Sequence, residues 1–282
     1  MSVKIGLMFT NAGPFGSAEG AAAIAEAADA NNIESLWTVE HVVIPTDYQS
    51  AYPYSADGKM PGPENMPIVD PLIWLTWAAA HSERVKLATG ILILPQRNPL
   101  VLAKEVASLD FMSKGRVLLG IGVGWLEEEF KALDVPFARR GARTDDYVAA
   151  LRELWTQDDS THSGEFCTFE KVKSYPKPAQ GSVPIIVGGH SPAAARRAGR
   201  LGDGFFPAQP NDLDNLLDIM RTTAEKEGRD PSAIEVTTGG LPTPDFIKKL
   251  EDQGVHRIVV PPPAFTPDTI GAALERLQDS LA

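Results

Sequence analysis

Glu40 and His41 set an acid beside an imidazole directly after a β-type run over 35–39. Histidine has an unperturbed pKa near ~6.5 and moves a proton at neutral pH. The alternative is a loop histidine held by ordinary hydrogen bonds. A second run ends in Gly188-Gly189-His190-Ser191-Pro192, which opens a helical stretch. Ser191 suits the N-cap and Pro192 the first turn. The glycines let backbone approach a ligand, and the helix N-terminus presents unpaired N–H groups to an anion. This segment reads as a phosphate site or as a plain capped turn. A third group, Gly120-Ile121-Gly122-Val123-Gly124, approaches the spacing of a dinucleotide fingerprint. Trp125 follows it and no βαβ half-domain surrounds it, so it reads as room for a flat ligand or a phosphate, or as packing.

Other chemistries find little support. The histidines His41, His81, His162, His190 and His256 form no H-x-H or H-E-x-x-H pair, which disfavours a barrel metallohydrolase. No G-x-S-x-G elbow is present. Lysines are absent from the carboxyl ends of the strands, which disfavours a Schiff base. Cys167 is the single cysteine. It has no neighbouring base, permits no intrachain disulfide and fits a reducing, cytoplasmic setting. The net charge of −11 argues against a nucleic-acid partner, and no apolar run approaches the ~18 residues of a membrane span. The opening residues read as a first strand rather than a secretory signal. A small-molecule substrate is the expected partner.

The elements that must position these residues alternate from end to end. Strands are expected at 3–9, 35–39, 85–93, 117–122, 184–187, 204–206, 234–238 and 257–260. Helices are expected at 17–30, 71–80, 99–113, 125–132, 142–155, 191–201, 211–227, 244–253 and 267–281. Residues 40–70 form a long loop rich in Pro, Tyr and Gly, and 162–176 a hairpin excursion. Eight βα units imply a parallel sheet closed into a (β/α)8 barrel, one domain over 1–282 with insertions after strands two and four. The strands are short and rich in Val, Ile and Leu, as strands buried on both faces are. Polar residues collect after the strands (Thr10-Asn11, Glu40-His41, Gln96-Arg97-Asn98) while plain solvated charges precede them. That asymmetry places the site at the carboxyl ends. Trp37, Trp74 and Trp77 read as packing residues.

The chain resembles the luciferase-like monooxygenase superfamily, whose members use FMN or the deazaflavin coenzyme F420. The resemblance lies in Ser35-Leu36-Trp37-Thr38-Val39-Glu40-His41 and in Pro184-Ile185-Ile186-Val187-Gly188-Gly189. Between them a long register runs from Ala88-Thr89-Gly90-Ile91 through Arg97-Asn98-Pro99 to Gly120-Ile121-Gly122-Val123-Gly124-Trp125. It implies a flat ring lying across the barrel mouth above a cis peptide at Gly90-Ile91. It further implies cofactor contacts at Gly90, Ile91, Asn98, Gly122, Val123, Gly124, Gly188, Gly189, His190 and Ser191. His41 matches a histidine that touches the ring and handles a proton, and Glu40 would orient it or touch the ring edge. A homodimer is also implied. Relatives that oxidise a sugar phosphate carry an acid where this chain has Trp125, which argues against that substrate. Coenzyme F420 carries a glutamate-bearing tail, for which Arg139, Arg140 and Arg143 are candidate partners. The expected activity is two-electron transfer between F420 or a flavin and a small organic substrate. An FMN-dependent monooxygenase, a phosphate-binding barrel enzyme of another class and a non-catalytic cofactor-binding barrel stay open. The loop over 42–70, with Tyr48, Tyr52 and Tyr54, is a candidate lid.

Overall fold

The computed structural model describes residues 3–209 and 211–281. In chain order the strands are β1 (Lys4–Met8), β2 (Ser35–Thr38), β3 (Lys86–Thr89), β4 (Leu92–Ile93), β5 (Val117–Gly122), β6 (Ser160–Ser163), β7 (Thr168–Val172), β8 (Ile185–Gly188), β9 (Gly204–Phe206), β10 (Glu235–Gly239) and β11 (Arg257–Val260). β3 pairs with β2 and β5, and β1 pairs with β2 and β11, all in parallel. The sheet therefore closes on itself as β1-β2-β3/β4-β5-β8-β9-β10-β11. This is the (β/α)8 barrel. β6 and β7 form an antiparallel hairpin outside it, after the fourth barrel strand.

The helices are α1 (Ala18–Ala30), α2 (Pro71–Ala80), α3 (Pro99–Met112), α4 (Glu127–Ala132), α5 (Arg140–Thr156), α6 (Pro192–Leu201), α7 (Leu213–Lys226), α8 (Pro244–Asp252) and α9 (Pro267–Asp279). Their starts are chemically marked. Ser17, Asp70, Asn98, Ser191 and Thr243 each accept a backbone N–H of the first turn through the side chain, satisfying donors that have no intrahelical partner.

Most boundaries fall within two residues of the sequence reading, and two of the differences bear on the site. The run over 85–93 is not one strand, because the Gly90–Ile91 peptide is cis and divides it into β3 and β4. The short helix begins at Glu127 rather than Trp125, since Gly124 (φ +80) redirects the chain there.

Val, Leu, Ile and Ala from the outer strand faces and the inner helix faces form the main core. A second cluster fills the barrel itself: Trp37, Ala88, Leu118, Ile186, Phe206 and Val259, with Met8, Ile91 and Ala208 half-buried against it. Trp37 fits because its neighbours are small: a Cβ on Gly6 or Gly90 would stand 2.9 Å from its ring. Below it the buried Arg257 guanidinium pairs with Glu34 (2.6 Å) and Glu235 (3.2 Å). The barrel is thus plugged, and what binds must bind on top.

The loop after β2 is stapled at its base. The fully buried Asn11 donates to the carbonyls of Val39 (2.8 Å) and Val69 (2.6 Å) and accepts from Val39 N–H (2.8 Å). The hairpin is tied to α5 by Asp146, which accepts from Phe166 N–H (2.6 Å) and Cys167 N–H (3.0 Å) and pairs with His162 (2.6 Å). Among the described residues no helix is long and apolar enough to cross a membrane.

Candidate active site

His41 follows β2 at the barrel mouth. Its Nδ1 lies 3.1 Å from Glu129 Oε2. The other oxygen of that carboxylate accepts from Val42 N–H (2.7 Å) and Val43 N–H (3.3 Å). A carboxylate so used is an acceptor, so His41 Nδ1 carries hydrogen, and Nε2 is the ring nitrogen without a protein partner among the described residues. Glu129 is 1% exposed. It is carried by α4 between the buried Leu126 and Phe130, so the fold delivers a buried acid to the histidine from across the mouth.

Glu40 does not touch His41. Its carboxylate accepts from Ile93 N–H and from Arg97, through Nε (2.9 Å) and through Nη2. Arg97 Nη2 also donates to Asp70 (2.8 Å), the N-cap of α2. Burial pushes the Glu40 carboxyl up, against the pull of Arg97 and the Ile93 amide. Burial also works against the charge of Arg97, but Glu40 and Asp70 outweigh it and hold the guanidinium protonated. Glu40 therefore ties β2 to the β4 end. The acid that orients His41 is Glu129, which the sequence reading had not singled out.

Gly122 and Gly188 flank Ile91. A Cβ at Gly122 would stand 2.2 Å from Ile91 Cδ1, and one at Gly188 2.5 Å from Ile91 Cγ2. The glycines on β5 and β8 thus seat the Ile91 side chain rather than leaving open room for a ring. Ile91, with Met8 and Ala208, forms the half-buried apolar floor of the mouth. Gly90 lies beneath, against Trp37. Val123 and Gly124 continue from β5, Gly124 packs against Phe130 and Ile93, and Arg140 Nε donates to the Gly124 carbonyl (3.1 Å).

The loop before α6 offers an anion site in part. Gly189 adopts φ +130, open to glycine, yet its N–H donates to the Phe206 carbonyl (3.1 Å). Ser191 Oγ accepts from Ala194 N–H (3.2 Å) as the N-cap. His190 Nδ1 is buried with no protein partner, and so are both atoms of the Gln96 carboxamide, just after β4. Buried polar atoms left without partners mark places where a bound group is expected. Asn98 is accounted for differently: its carboxamide oxygen accepts from Leu100 N–H (3.0 Å) and Val101 N–H (3.2 Å), capping α3.

None of the three candidate tail-binding arginines is free. Arg139 pairs with Glu165 (Nη2 to Oε2, 2.7 Å). Arg143 is buried and donates to the Pro136 carbonyl (2.7 Å). Arg140 lies over the Phe137 ring at 3.7 Å. Cys167 is buried in the hairpin turn, where burial and then Asp146 push its thiol up; this is no activated nucleophile.

The long loop folds over the mouth. Trp125 meets the edges of His41 (5.9 Å), Tyr48 (5.6 Å) and Tyr52 (5.2 Å), and Tyr52 meets Tyr54 (5.5 Å). Glu128 clasps the loop by accepting from Gln49 N–H (2.7 Å) and Ser50 Oγ (2.7 Å). Those bonds, the Ser50 hydroxyl first, hold its carboxyl down at about 2. Gln209, after β9, donates to the Tyr54 carbonyl (3.4 Å). Trp125 is therefore a wall of the site, not a packing residue like Trp37.

The family model for the luciferase-like monooxygenases matches residues 3–245. The chain belongs to that family. An uncharacterised protein of Mycobacterium tuberculosis is 32% identical over 263 residues, 93% of each chain. The F420-dependent glucose-6-phosphate dehydrogenase of Nakamurella multipartita is 34% identical over 222 residues, 76% of this chain and 60% of that one. Among solved structures, the coenzyme F420-dependent tetrahydromethanopterin reductase from Methanopyrus kandleri superposes with a TM-score of 0.78 at 17% identity, over 100% of this chain and 99% of that one. That likeness is one of fold. Family membership makes the protein an oxidoreductase of the kind that uses F420 or a flavin.

Proposed function

We propose that the chain is a coenzyme F420-dependent oxidoreductase acting on a small organic substrate, with His41 as its proton carrier. The observation that carries this reading is the His41–Glu129 pair at the carboxyl end of β2. A bound deazaflavin supplies a carbon that takes or gives two electrons as a hydride. Ile91 would support the cofactor ring, and the loop from Gly188 to Ser191 would hold its phosphate. His41 Nε2, free of protein partners, takes a proton from a substrate hydroxyl or returns one to a carbonyl oxygen, while Glu129 fixes the ring and stabilises its charged form. The aromatic wall and the clasped loop cover one side of the mouth. The relative from Nakamurella, named as F420-dependent, supports the cofactor assignment.

A second reading is FMN-dependent monooxygenation. It is favoured by one observation: Arg139, Arg140 and Arg143 are all engaged, and FMN has no glutamate tail to need them. For the homodimer implied by the resemblance, Ile73, Trp77, Val101, Phe111 and Met112, exposed on α2 and α3, supply an apolar face. Titration of the purified protein with coenzyme F420 and with FMN, read by cofactor fluorescence, tests the main reading.

A further inference from the structure

One sector of the mouth carries no ionisable residue. The stretches after β10 (240–243, Gly-Leu-Pro-Thr), β11 (261–266, Pro-Pro-Pro-Ala-Phe-Thr) and β1 (9–17, Phe-Thr-Asn-Ala-Gly-Pro-Phe-Gly-Ser) contain no Asp, Glu, Lys, Arg or His. These strands are neighbours in the ring, β10-β11-β1, so the three loops make one continuous arc. Counted around the closed ring, the β11 and β1 loops face the β5 and β8 loops that carry Gly124 and the segment from Gly188 to Ser191.

The arc is also apolar and open. Leu241 is 77% exposed, Phe265 69% and Phe9 40%. Exposed Val42 and Val43 continue it after β2. Phe9 holds φ +62, a left-handed backbone that bulky side chains rarely adopt and that tends to persist at functional sites. The long loop is anchored at Asn11, Glu128 and Gln209, and no hydrogen bond among the described residues joins it to the β10 or β11 loops. The long loop thus leaves this apolar arc uncovered. Trp125, Tyr52 and Tyr54 pack edge to face on one another at the mouth. Arg97, the cation that follows β4 at this end of the barrel, is spent on Glu40 and Asp70.

We propose that the substrate is an uncharged, mainly apolar alcohol, ketone or enone that binds over the β10-β11-β1 arc, opposite the phosphate loop. The proposal rests on the oxidoreductase reading of the mouth and names its substrate class. A phosphorylated or carboxylate substrate would surrender its hydration there with no cation to receive it. A neutral molecule gains from burial against Leu241, Phe265 and Phe9, and spends its one polar atom on His41.

The test is equilibrium binding, by ligand-observed NMR, of cyclopentanone, cyclohexanone and cycloheptanone to the purified protein. Cyclohexanecarboxylate and glucose 6-phosphate serve as charged comparators. Affinity is expected to rise about fourfold with each added CH2, and the charged compounds to bind at least roughly tenfold more weakly than cyclohexanone, a difference that a missing counter-charge readily produces. Leu241→Glu and Phe265→Glu are expected to weaken cyclohexanone while leaving thermal stability and cofactor affinity in place. A series flat in ring size, or a charged comparator that binds as well as the ketone, overturns the proposal. So does a change of oligomeric state in both variants with ketone affinity intact, which would make the arc a contact between copies. If the ketones behave as expected but neither F420 nor FMN binds, the cofactor reading falls and the apolar site stands. If a cofactor binds and the ketone series is flat, the substrate proposal falls alone.

Discussion

His41 Nδ1 and Glu129 Oε2 lie 3.1 Å apart although 88 residues separate them in the chain. The remaining oxygen of Glu129 is held by the Val42 and Val43 amides, so the carboxylate cannot rotate to offer the histidine anything but an acceptor. In Glu129→Gln the amides still need that acceptor, which forces the NH2 of the new side chain toward Nδ1 and moves the ring hydrogen to Nε2. We predict that turnover falls roughly 10²–10⁴-fold, the range for a lost general acid–base group, while the melting temperature changes little. An imidazole NMR signature still protonated at Nδ1 in the variant would contradict this account.

Glu40 acts on the scaffold instead. Glu40→Gln removes the buried one of the two carboxylates that neutralise half-buried Arg97, leaving Asp70, and breaking a buried pair costs up to about 3–5 kcal/mol. The expected result is a clear loss in urea stability with the His41 pairing unchanged. A variant as stable as the parent but dead in turnover would return Glu40 to the chemistry.

The Ile91 seat is open to a rescue experiment. Gly122→Ala places a Cβ 2.2 Å from Ile91 Cδ1, and overpacking of this kind costs about 1–3 kcal/mol. Cofactor affinity should drop as Ile91 is pushed up into the ring plane, and Gly122→Ala combined with Ile91→Ala should recover part of it. No recovery would mean that Gly122 contacts the cofactor directly.

The clasp at Glu128 has a defined pH window. Its folded pKa is depressed to about 2 from an ordinary 4.5, so its contribution is fully present above 4.5 and is lost as pH falls toward about 2. The stability difference between the protein and Glu128→Gln should be constant from neutral pH to about 5 and shrink below 4.5. A difference that shrinks between pH 8 and 6 would assign it to another group.

Much of this was legible in the residues. Runs of Val, Ile and Leu marked the barrel strands, and Ser17 and Ser191 marked helix starts through their capping chemistry. The polar residues after the strands marked the mouth. Glu129 was hidden because it is the third of three consecutive glutamates, and nothing local sets it apart. The available signal was the spacing of Leu126, Glu129 and Phe130, which puts an acid on the apolar face of a helix. Asn98-Pro99 is a helix-start signature, and the structure uses Asn98 in that way. Glycine spacing could not tell a seat for Ile91 from room for a ligand, since both require only the absence of a Cβ. The pairing of Glu40 with Arg97 rather than with the adjacent His41 depends on Ile93 and Arg97, more than fifty residues away, which no local pattern around Glu40 reveals.

The central claim is that this mouth binds a deazaflavin. Purified protein should be titrated with coenzyme F420 and with FMN, following cofactor fluorescence, beside Gly189→Val. The account predicts saturable binding of F420, weaker or absent binding of FMN, and loss of F420 affinity in the variant without matching loss of thermal stability. Tight binding of FMN alone would contradict it and make the protein a flavin monooxygenase.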